Sequence, residues 1–367
     1  MTEHGYKVGG RRMMLLCEGH FGSEYAKTAT GLSIWCPDEV VAVIDRETAG
    51  QKVEDLIGFG EGIPIVRTLE EAVKLGGTQL VIGVANVGGV LVPGYREVIV
   101  RAIKLGCDVV SGLHEILSED AELVSLAEKH GVKIYDVRLV PKVPVGMNRA
   151  RTVGNRRVLA VGTDCATGKK CTALVLTREF AGRGLDAKFV ATGQTGIMIE
   201  GDGLCIDRAI GDFASGVAEK LVLDNADRDW LFIEGQGSLD HPSYSGVTLS
   251  LLHGTAPQAL VLCHIGEHTG RRHDDGSPLM SVAENIRLHE TVSTPILPTK
   301  VVGLSLMTRG LSEADAKREI RKLEDETGLP ATDPLRFGVR NLADALIEFF
   351  DRRPHGTPHR NPGDGRP

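Results

Sequence analysis

Aromatic side chains are scarce in this sequence: they make up 4% of its 367 residues, whereas 45 residues are glycine. This balance favours an α/β fold with many tight strand–helix turns over an all-β sandwich. A surplus of positive charge is also absent, because the formal net charge is −7. The sequence therefore has no electrostatic footprint for nucleic acid, and an anionic ligand would need local basic groups or backbone N–H groups.

Paired cysteines and long apolar runs are missing as well. The seven cysteines are scattered and odd in number, and none belongs to a C-x-x-C pair, which is typical of reduced thiols in a cytosolic protein. The first apolar stretch, Met13–Cys17, is too short for a signal peptide, and no run reaches the ~20 apolar residues of a membrane span. We expect a soluble, cytoplasmic protein without a nucleic-acid or membrane partner, and we leave open whether it is a homo-oligomer.

The chain length and the alternation of predicted elements indicate two domains. A chain of 367 residues exceeds what one hydrophobic core usually organises. Short apolar strands alternate with helical patterns, which is typical of parallel sheets covered by helices. We predict one α/β domain at 1–140, a linker rich in proline, glycine and basic residues at 141–157, a second α/β domain at 158–351, and a disordered tail at 352–367.

The strongest motif is Gly162-Thr-Asp-Cys-Ala-Thr-Gly-Lys169, which lies between a predicted strand and a predicted helix. This is the context of a P-loop, in which glycines let successive backbone N–H groups surround a phosphate and the lysine adds a point charge. We predict that the second domain binds a phosphorylated ligand here. The residues assigned to this binding site are Gly162, Thr163, Asp164, Cys165, Ala166, Thr167, Gly168, Lys169, Lys170, Cys171 and Thr172.

The motif lacks the hydroxyl group that usually follows the lysine and holds Mg²⁺. Lys170 occupies that position, and Thr172 lies about 160° around the helix from it, at ~100° per residue. Thr172 is therefore not expected to replace the missing ligand, and we assign no metal. Such a site suits a ligand that is bound and not hydrolysed, such as coenzyme A with its diphosphate and 3′-phosphate.

Two further loops of the second domain follow predicted strands, at the edge where open α/β sheets bind their ligands. The first loop contains Thr192, Gln194 and Thr195, whose neutral polar groups suit a polar substrate. The second loop begins with Glu234, which we predict to be a general base or to orient a water or a metal ion.

The residues after Glu234 extend the same prediction. Gln236 and Ser238 are assigned to substrate binding, and His241 is the second candidate for a catalytic base. In the polar loop further along, Arg271 is assigned to a substrate carboxylate. In the first domain, Asn86 and His114 each follow a predicted strand and are assigned to substrate contacts.

At these residues the sequence resembles the DgcN-type D-glutamate N-acetyltransferases, and the likeness spans roughly residues 10–350. The motifs that carry it are GTDCATGKKCTAL, ATGQTGIMI, IEGQGSLDHPSYSGVTLSLLHG and ALVLCH in the second domain, and GVANVGGVL and SGLHEIL in the first. The P-loop also resembles the GTD-x-x-x-GK loop of dethiobiotin synthetase. The resemblance implies a Rossmann-like N-terminal domain followed by a P-loop domain.

The resemblance further implies acetyl transfer from acetyl-CoA to the amino group of D-glutamate or a similar amino acid. The α-amino group is mostly protonated at neutral pH, so a base has to remove a proton before or during its attack on the thioester. Two other classes stay open. One is an ATP–Mg²⁺-dependent kinase or carboxylate-activating ligase, with Asp164 and Glu234 as metal ligands. The other is a non-catalytic regulator that binds a nucleotide or CoA.

Overall fold

A computed structural model of the chain describes residues 5–86, 88–266 and 278–352. Within them, the strands are β1 (Met13–Leu16), β2 (Val40–Ile44), β3 (Ile65–Val66), β4 (Gln79–Ile82), β5 (Asp108–Ser111), β6 (Ile134–Asp136), β7 (Arg156–Gly162), β8 (Ala187–Val190), β9 (Trp230–Ile233), β10 (Ala259–Ile265), β11 (Lys300–Met307) and β12 (Ala331–Thr332). The predicted disordered tail lies outside the described residues from position 353 onward.

Helices connect these strands almost throughout. They are α1 (Lys27–Trp35), α2 (Val53–Ile57), α3 (Leu69–Lys74), α4 (Tyr95–Lys104), α5 (Ala121–His130), α6 (Lys169–Gly182), α7 (Gln194–Glu200), α8 (Gly211–Leu223), α9 (Ser245–Thr255), α10 (Val282–Ser293), α11 (Glu313–Thr327) and α12 (Arg340–Asp351). None of the helices in the described residues is long and apolar enough to cross a membrane. All seven cysteines fall in the described ranges, and none of them forms a disulfide.

The chain forms two compact units. The first comprises Met1–Pro141 and Gly193–Arg208, and the second comprises Lys142–Thr192 and Ala209–Pro367. The sequence-based division differs at two places, because it assigned 193–208 to the P-loop domain and made 141–157 a linker, whereas 142–157 belong to the second unit. A short helix such as α7 has the same sequence pattern whichever core it packs against, so the pattern could not reveal that it joins the first unit.

The first unit contains a six-stranded sheet whose named strands all pair in parallel, in the order β3-β2-β1-β4-β5-β6. Its central strands are apolar and buried on both faces, as is usual when helices cover a parallel sheet. This order is that of a Rossmann domain, in which ligands bind where the connections reverse direction, here between β1 and β4.

Segment 193–208 is held to the first unit by specific contacts. The hydroxyl of Thr195 lies 3.1 Å from that of Thr28 in the first turn of α1. The side chain of Gln194 packs so closely on Gly112 that a Cβ there would lie 2.7 Å from Gln194 Cγ. Arg138, which is buried, forms an ion pair with Asp207. These contacts fill the carboxyl edge of the first sheet with the protein's own chain.

The second unit contains another parallel six-stranded sheet, in the order β12-β11-β10-β7-β9-β8. β7 lies in the middle, with β9 on one side and β10 on the other. The chain leaves β7 toward β8 and leaves β10 toward β11, so the connections reverse direction beside β7. A P-loop at the end of β7 therefore lies at the switch point of this sheet, with the loops after β9 and β10 next to it.

The stretch predicted as the linker, 141–157, packs against α8 of the second unit. Met147 N donates to Glu219 Oε1 over 3.2 Å, and Arg149 Nε and Nη2 donate to Glu219 Oε2 over 2.9 and 2.7 Å. Arg149 N also donates to this carboxylate. Glu219 is completely buried, so one buried carboxylate fixes the entry of the chain into the second unit.

Candidate active site

The shape of the P-loop depends on the backbone conformation of three residues between β7 and α6. A Cβ at Gly162 would lie 2.4 Å from Thr167 Oγ1, so only glycine lets the loop fold back over the strand end. Ala166 and Gly168 have φ angles of +55° and +93°, in the left-handed region that glycine adopts easily and alanine rarely does. The loop therefore arches over the end of β7 and turns its amides toward the start of α6.

The amide groups of this arch are available to an anion. Within the part of the chain that the structure describes, the N–H groups of Ala166, Thr167 and Gly168 donate no hydrogen bond. They precede the first turn of α6, a helix of 14 residues whose N-terminal dipole favours negative charge. Three successive amides without a protein acceptor, placed before the first turn of a helix, form a site that suits an anion.

Lys169 lies across the loop in which it is predicted to bind a phosphate. Its side chain is buried, and its ammonium group donates to Asp164 O over 2.7 Å and lies 3.3 Å from Thr167 Oγ1. A phosphate bound in the loop would replace these neutral acceptors with a charged one. Hydrogen bonds that involve a charged group are roughly twice as strong as those between neutral groups.

Thr172 has the position that the sequence analysis expected. Its hydroxyl donates to Gly168 O over 3.0 Å and lies 2.7 Å from Ser305 Oγ on β11, so it faces the sheet. Burial raises the pKa of the neighbouring Cys171 thiol to about 12, which keeps it protonated at neutral pH. Both side chains belong to the packing of α6, so any contact with a ligand would come from the backbone of the preceding residues.

The loop after β9 lies beside the P-loop, as the strand order requires. Glu234 is buried, and its Oε2 accepts a hydrogen bond from Thr192 N over 3.0 Å. Its carbonyl oxygen accepts one from Thr192 Oγ1 over 2.8 Å, while Gln236 Nε2 donates to Thr192 O. Glu234 and Gln236 thus position Thr192, the last residue before the chain enters the first unit.

His241 follows the same loop and lies near the P-loop. One of its ring nitrogens, an Asp164 carboxylate oxygen and Cys165 Sγ all lie within 4.8 Å of one another. His241 Nδ1 accepts a hydrogen bond from Ser243 N over 3.1 Å. In the neutral ring the proton is therefore on Nε2, which makes that nitrogen a donor. His241 would have to give up its Ser243 contact to act as a base or to bind a metal through a lone pair.

Two other polar groups lie at the same edge of the sheet. Thr163 Oγ1 is 2.9 Å from Nδ1 of His264, at the end of β10. Ser238 Oγ is buried and donates to Asp240. The first pair joins the P-loop to β10, and the second stabilises the loop after β9.

The remaining predicted substrate residues lie in the first unit or outside the described residues. Asn86 Nδ2 donates to Val90 O over 3.1 Å, which closes its own turn. His114 Nε2 is 3.9 Å from Asp207 Oδ2; burial and, next, Arg138 lower the pKa of His114, while Asp207 opposes them. Gln194 and Thr195 hold segment 193–208 in place, as described above. Arg271 lies in 267–277, outside the described residues. Substrate binding by this group stays a prediction.

One buried histidine near the P-loop was not identified from the sequence. His289 on α10 is completely buried, and its Nδ1 bonds to Asn285 O over 2.8 Å. Burial lowers the pKa of His289 to about 4, and the positive charge of Lys169 adds to this effect while Asp240 opposes it. The fully buried side chains of α10 are polar, namely Asn285, His289 and Ser293, four residues apart, so their burial could not be read from hydrophobic spacing.

The low pKa of His289 predicts a specific dependence of stability on pH. The unfolded chain binds a proton at this ring near pH 6.5, but the folded chain binds it only near pH 4. Between these values the unfolded state holds more protons, so the free energy of unfolding should fall by about 3 kcal/mol as the pH drops from 6.5 to 4. Urea denaturation across this range should give a shallower pH dependence for His289→Phe than for the parent protein. Equal slopes would contradict the assignment.

Comparison with known proteins places the chain among relatives of its own length. A protein-family model described as "Domain of unknown function (DUF1611_N) Rossmann-like domain" matches residues 46–139, and one described as "Domain of unknown function (DUF1611_C) P-loop domain" matches residues 144–343. A D-glutamate N-acetyltransferase from Tritonibacter scottomollicae is 43% identical over 326 residues, which cover 88% of this chain and 94% of that protein.

Two more relatives agree with this result. A D-glutamate N-acetyltransferase from a Pseudoalteromonas species is 41% identical over 273 residues, which cover 74% of this chain and 82% of that protein. The crystal structure of a DUF1611 family protein from Anabaena variabilis ATCC 29413 superposes with a TM-score of 0.89 at 40% identity, covering 92% of this chain and all of that one. These matches confirm the family and the two-domain fold predicted from the motifs: this chain belongs to the DUF1611 family, whose members join a Rossmann-like domain to a P-loop domain.

Proposed function

We propose that this protein transfers an acetyl group to the amino group of D-glutamate, with acetyl-CoA as the donor and with the CoA phosphates bound at the P-loop. The acceptor and the reaction type come from the two relatives named D-glutamate N-acetyltransferase, which are 43% and 41% identical to this chain. Acetyl-CoA is the donor that best fits the P-loop described above.

The observation that carries the choice of donor is the row of amides at Ala166, Thr167 and Gly168. These N–H groups have no acceptor within the described residues, and Lys169 lies beside them with its ammonium group bonded to Asp164 O. Such a loop binds a phosphate group by its backbone and one cation. Coenzyme A presents a diphosphate and a 3′-phosphate, and none of these groups is cleaved in acetyl transfer.

The chemistry of the loop also supports binding without phosphate cleavage. The residue after Lys169 is Lys170, so the hydroxyl that usually holds Mg²⁺ in nucleotide hydrolysis is missing. The hydroxyl of Thr172, further along α6, faces Ser305 and not the loop. His241, with its proton on Nε2, is suited to donate a hydrogen bond, and Glu234 positions Thr192.

Release of free CoA thiol tests the function directly. The purified protein is mixed with acetyl-CoA and D-glutamate, and thiol appearance is followed with a thiol reagent; L-glutamate and buffer serve as controls. We expect thiol release that depends on D-glutamate and formation of N-acetyl-D-glutamate by mass spectrometry. Phosphate release from ATP–Mg²⁺ would instead indicate the kinase or ligase class, and CoA binding without turnover would indicate a regulator.

The change Lys169→Ala tests the binding site itself. A charge-assisted hydrogen bond to a phosphate contributes about 1.5–3 kcal/mol, so we expect CoA to bind roughly 10- to 100-fold more weakly by calorimetry. The control is Lys317→Ala on α11, which removes an equal charge from a half-exposed surface site. If Lys169→Ala and Lys317→Ala bound CoA with the affinity of the parent protein, the P-loop would not be the CoA site.

A further inference from the structure

The fully buried side chains of α10 are polar, whereas the apolar side chains of this helix are half-buried or exposed. Asn285, His289 and Ser293 are the buried residues, spaced four residues apart. Helical residues at this spacing lie one above the other. A helix normally buries its apolar stripe and exposes its polar one, so a buried polar row indicates a role other than core packing.

Two members of this row have a hydrogen-bond acceptor without a partner. Asn285 Nδ2 donates to Met280 O and Ser281 O over 3.2 and 3.3 Å, which fixes the amide orientation and leaves Oδ1 as the acceptor. His289 Nδ1 donates to Asn285 O, so Nε2 keeps its lone pair. Among the residues that the structure describes, Asn285 Oδ1 and His289 Nε2 are buried and receive no hydrogen bond. Ser293 is satisfied, because its hydroxyl donates to His289 O over 2.8 Å.

His289 lies in the electrostatic environment of the P-loop. Lys169 on α6 and Asp240 in the loop before α9 are the charged groups that act on the His289 ring. Both belong to the candidate active site: Lys169 closes the P-loop, and Asp240 accepts the hydrogen bond of Ser238. An unpaired buried acceptor destabilises the folded protein, and a ligand that donates N–H groups would relieve this.

We propose that Asn285 Oδ1 and His289 Nε2 bind the amino group of the acceptor substrate, and that His289 Nε2 is the base that takes its proton during acetyl transfer. The assignment rests on the proposed function. An amino group fits this pair of acceptors in two ways. It offers several N–H donors, and it has a proton to lose during the reaction. The carboxylate of Asp240 adds negative charge to the same region, which favours a substrate nitrogen that gains positive charge as it reacts.

The reaction then balances without any further reactant. The substrate loses its extra ammonium proton to solvent as it enters the buried site. The amine nitrogen forms a bond to the thioester carbonyl carbon and becomes acidic, and its proton moves to His289 Nε2. The C–S bond breaks, and the CoA sulfur leaves with the electron pair and takes the proton from Nε2. The products are the N-acetyl amino acid and CoA thiol, with His289 neutral again. The flexible pantetheine arm has to bend back from the P-loop for this contact.

This assignment explains why the two bases predicted from the sequence are less suited to the step. The lone pair on His241 Nδ1 is already bonded to Ser243 N, and one oxygen of Glu234 is bonded to Thr192 N. The Nε2 atom of His289, by contrast, is buried and has no hydrogen-bond partner within the described ranges. Because its pKa is lowered to about 4, the ring stays neutral at physiological pH and keeps its lone pair.

His289→Phe is the central test, because phenylalanine fills the same space without a lone pair. General-base catalysis contributes 10²–10⁴-fold, so kcat/KM for D-glutamate should fall at least about 100-fold. The dissociation constant of CoA should stay within threefold of the parent value, and the melting temperature should not decrease, because an unpaired acceptor is removed. His289→Gln, which keeps an acceptor oxygen but no basic nitrogen, should retain KM for D-glutamate and lose kcat.

His253→Phe is the matched control. His253 lies on α9 of the same unit, and its Nε2 is bonded to Val292 O over 3.0 Å; this variant should keep the parent kcat/KM. A kcat/KM for His289→Phe within threefold of the parent value would overturn the proposal. If His289→Phe did not fold, a kcat for His289→Gln equal to that of the parent would overturn it instead. If the parent protein itself released no CoA thiol with D-glutamate, the proposed function would be wrong. Loss of activity only in the His289 variants leaves the proposed function intact.

Discussion

Replacing Gly235 with alanine should destabilise the second unit by about 4 kcal/mol or more, at the upper end of what overpacking produces. A Cβ at this position would lie 1.7 Å from Ala160 O on β7 and 3.1 Å from Lys169 Cδ. The first contact is with backbone, which cannot rotate away, so β7 and the loop after β9 would have to separate. Calorimetry should record a melting temperature lower by roughly 10 °C.

Gly246→Ala is the control for this prediction. Gly246 lies in the first turn of α9, and a Cβ there would meet no atom within 4 Å. Alanine is favoured over glycine in helices, so this variant should gain about 0.5–1 kcal/mol. Equal melting temperatures for the two variants would mean that β7 and the β9 loop are not packed as closely as described.

Replacing Glu219 with alanine should lower the free energy of unfolding by about 2–4 kcal/mol, because it removes the buried acceptor of two backbone amides. The variant would leave the amides of Met147 and Arg149 without their acceptor and the Arg149 guanidinium without its counter-charge. Urea denaturation should give a lower midpoint with an unchanged slope.

Glu313→Ala shows what an exposed carboxylate contributes. Glu313 pairs with Lys317 on the surface of α11, with 66% of its side chain exposed, and exposed ion pairs have little effect on stability. Its removal should leave the urea midpoint unchanged. A midpoint for Glu219→Ala as high as that of Glu313→Ala would show that residues 141–157 do not depend on this carboxylate.

The parts of the site that follow from local sequence were predictable. The spacing of Gly162, Gly168 and Lys169 indicated the P-loop, because few other turns need these residues between a strand and a helix. Glu234 follows a buried strand, and parallel strands end at one edge of their sheet, so its place near the P-loop could be expected. The missing magnesium hydroxyl was also readable from Lys170 and Thr172.

The parts that depend on contacts between distant segments were not predictable. The role of Thr192 as the residue held by Glu234 comes from the pairing of β8 with β9. The tautomer of His241 is set by one backbone amide, that of Ser243. His289 was not identified, since which face of α10 is buried is decided by the sheet beneath it.

The passage of the chain between the two units has a consequence for how the protein is made. The first unit takes Gly193–Arg208 from beyond the P-loop. During synthesis, this unit therefore lacks one of its pieces until 208 residues have left the ribosome, by which point β7, α6 and β8 have already emerged. A fragment ending at Pro141 would leave Thr28 and Arg138 without the partners they have in the whole protein. Gene fragments cut at this boundary should yield aggregated protein, and a useful dissection has to preserve all three crossings.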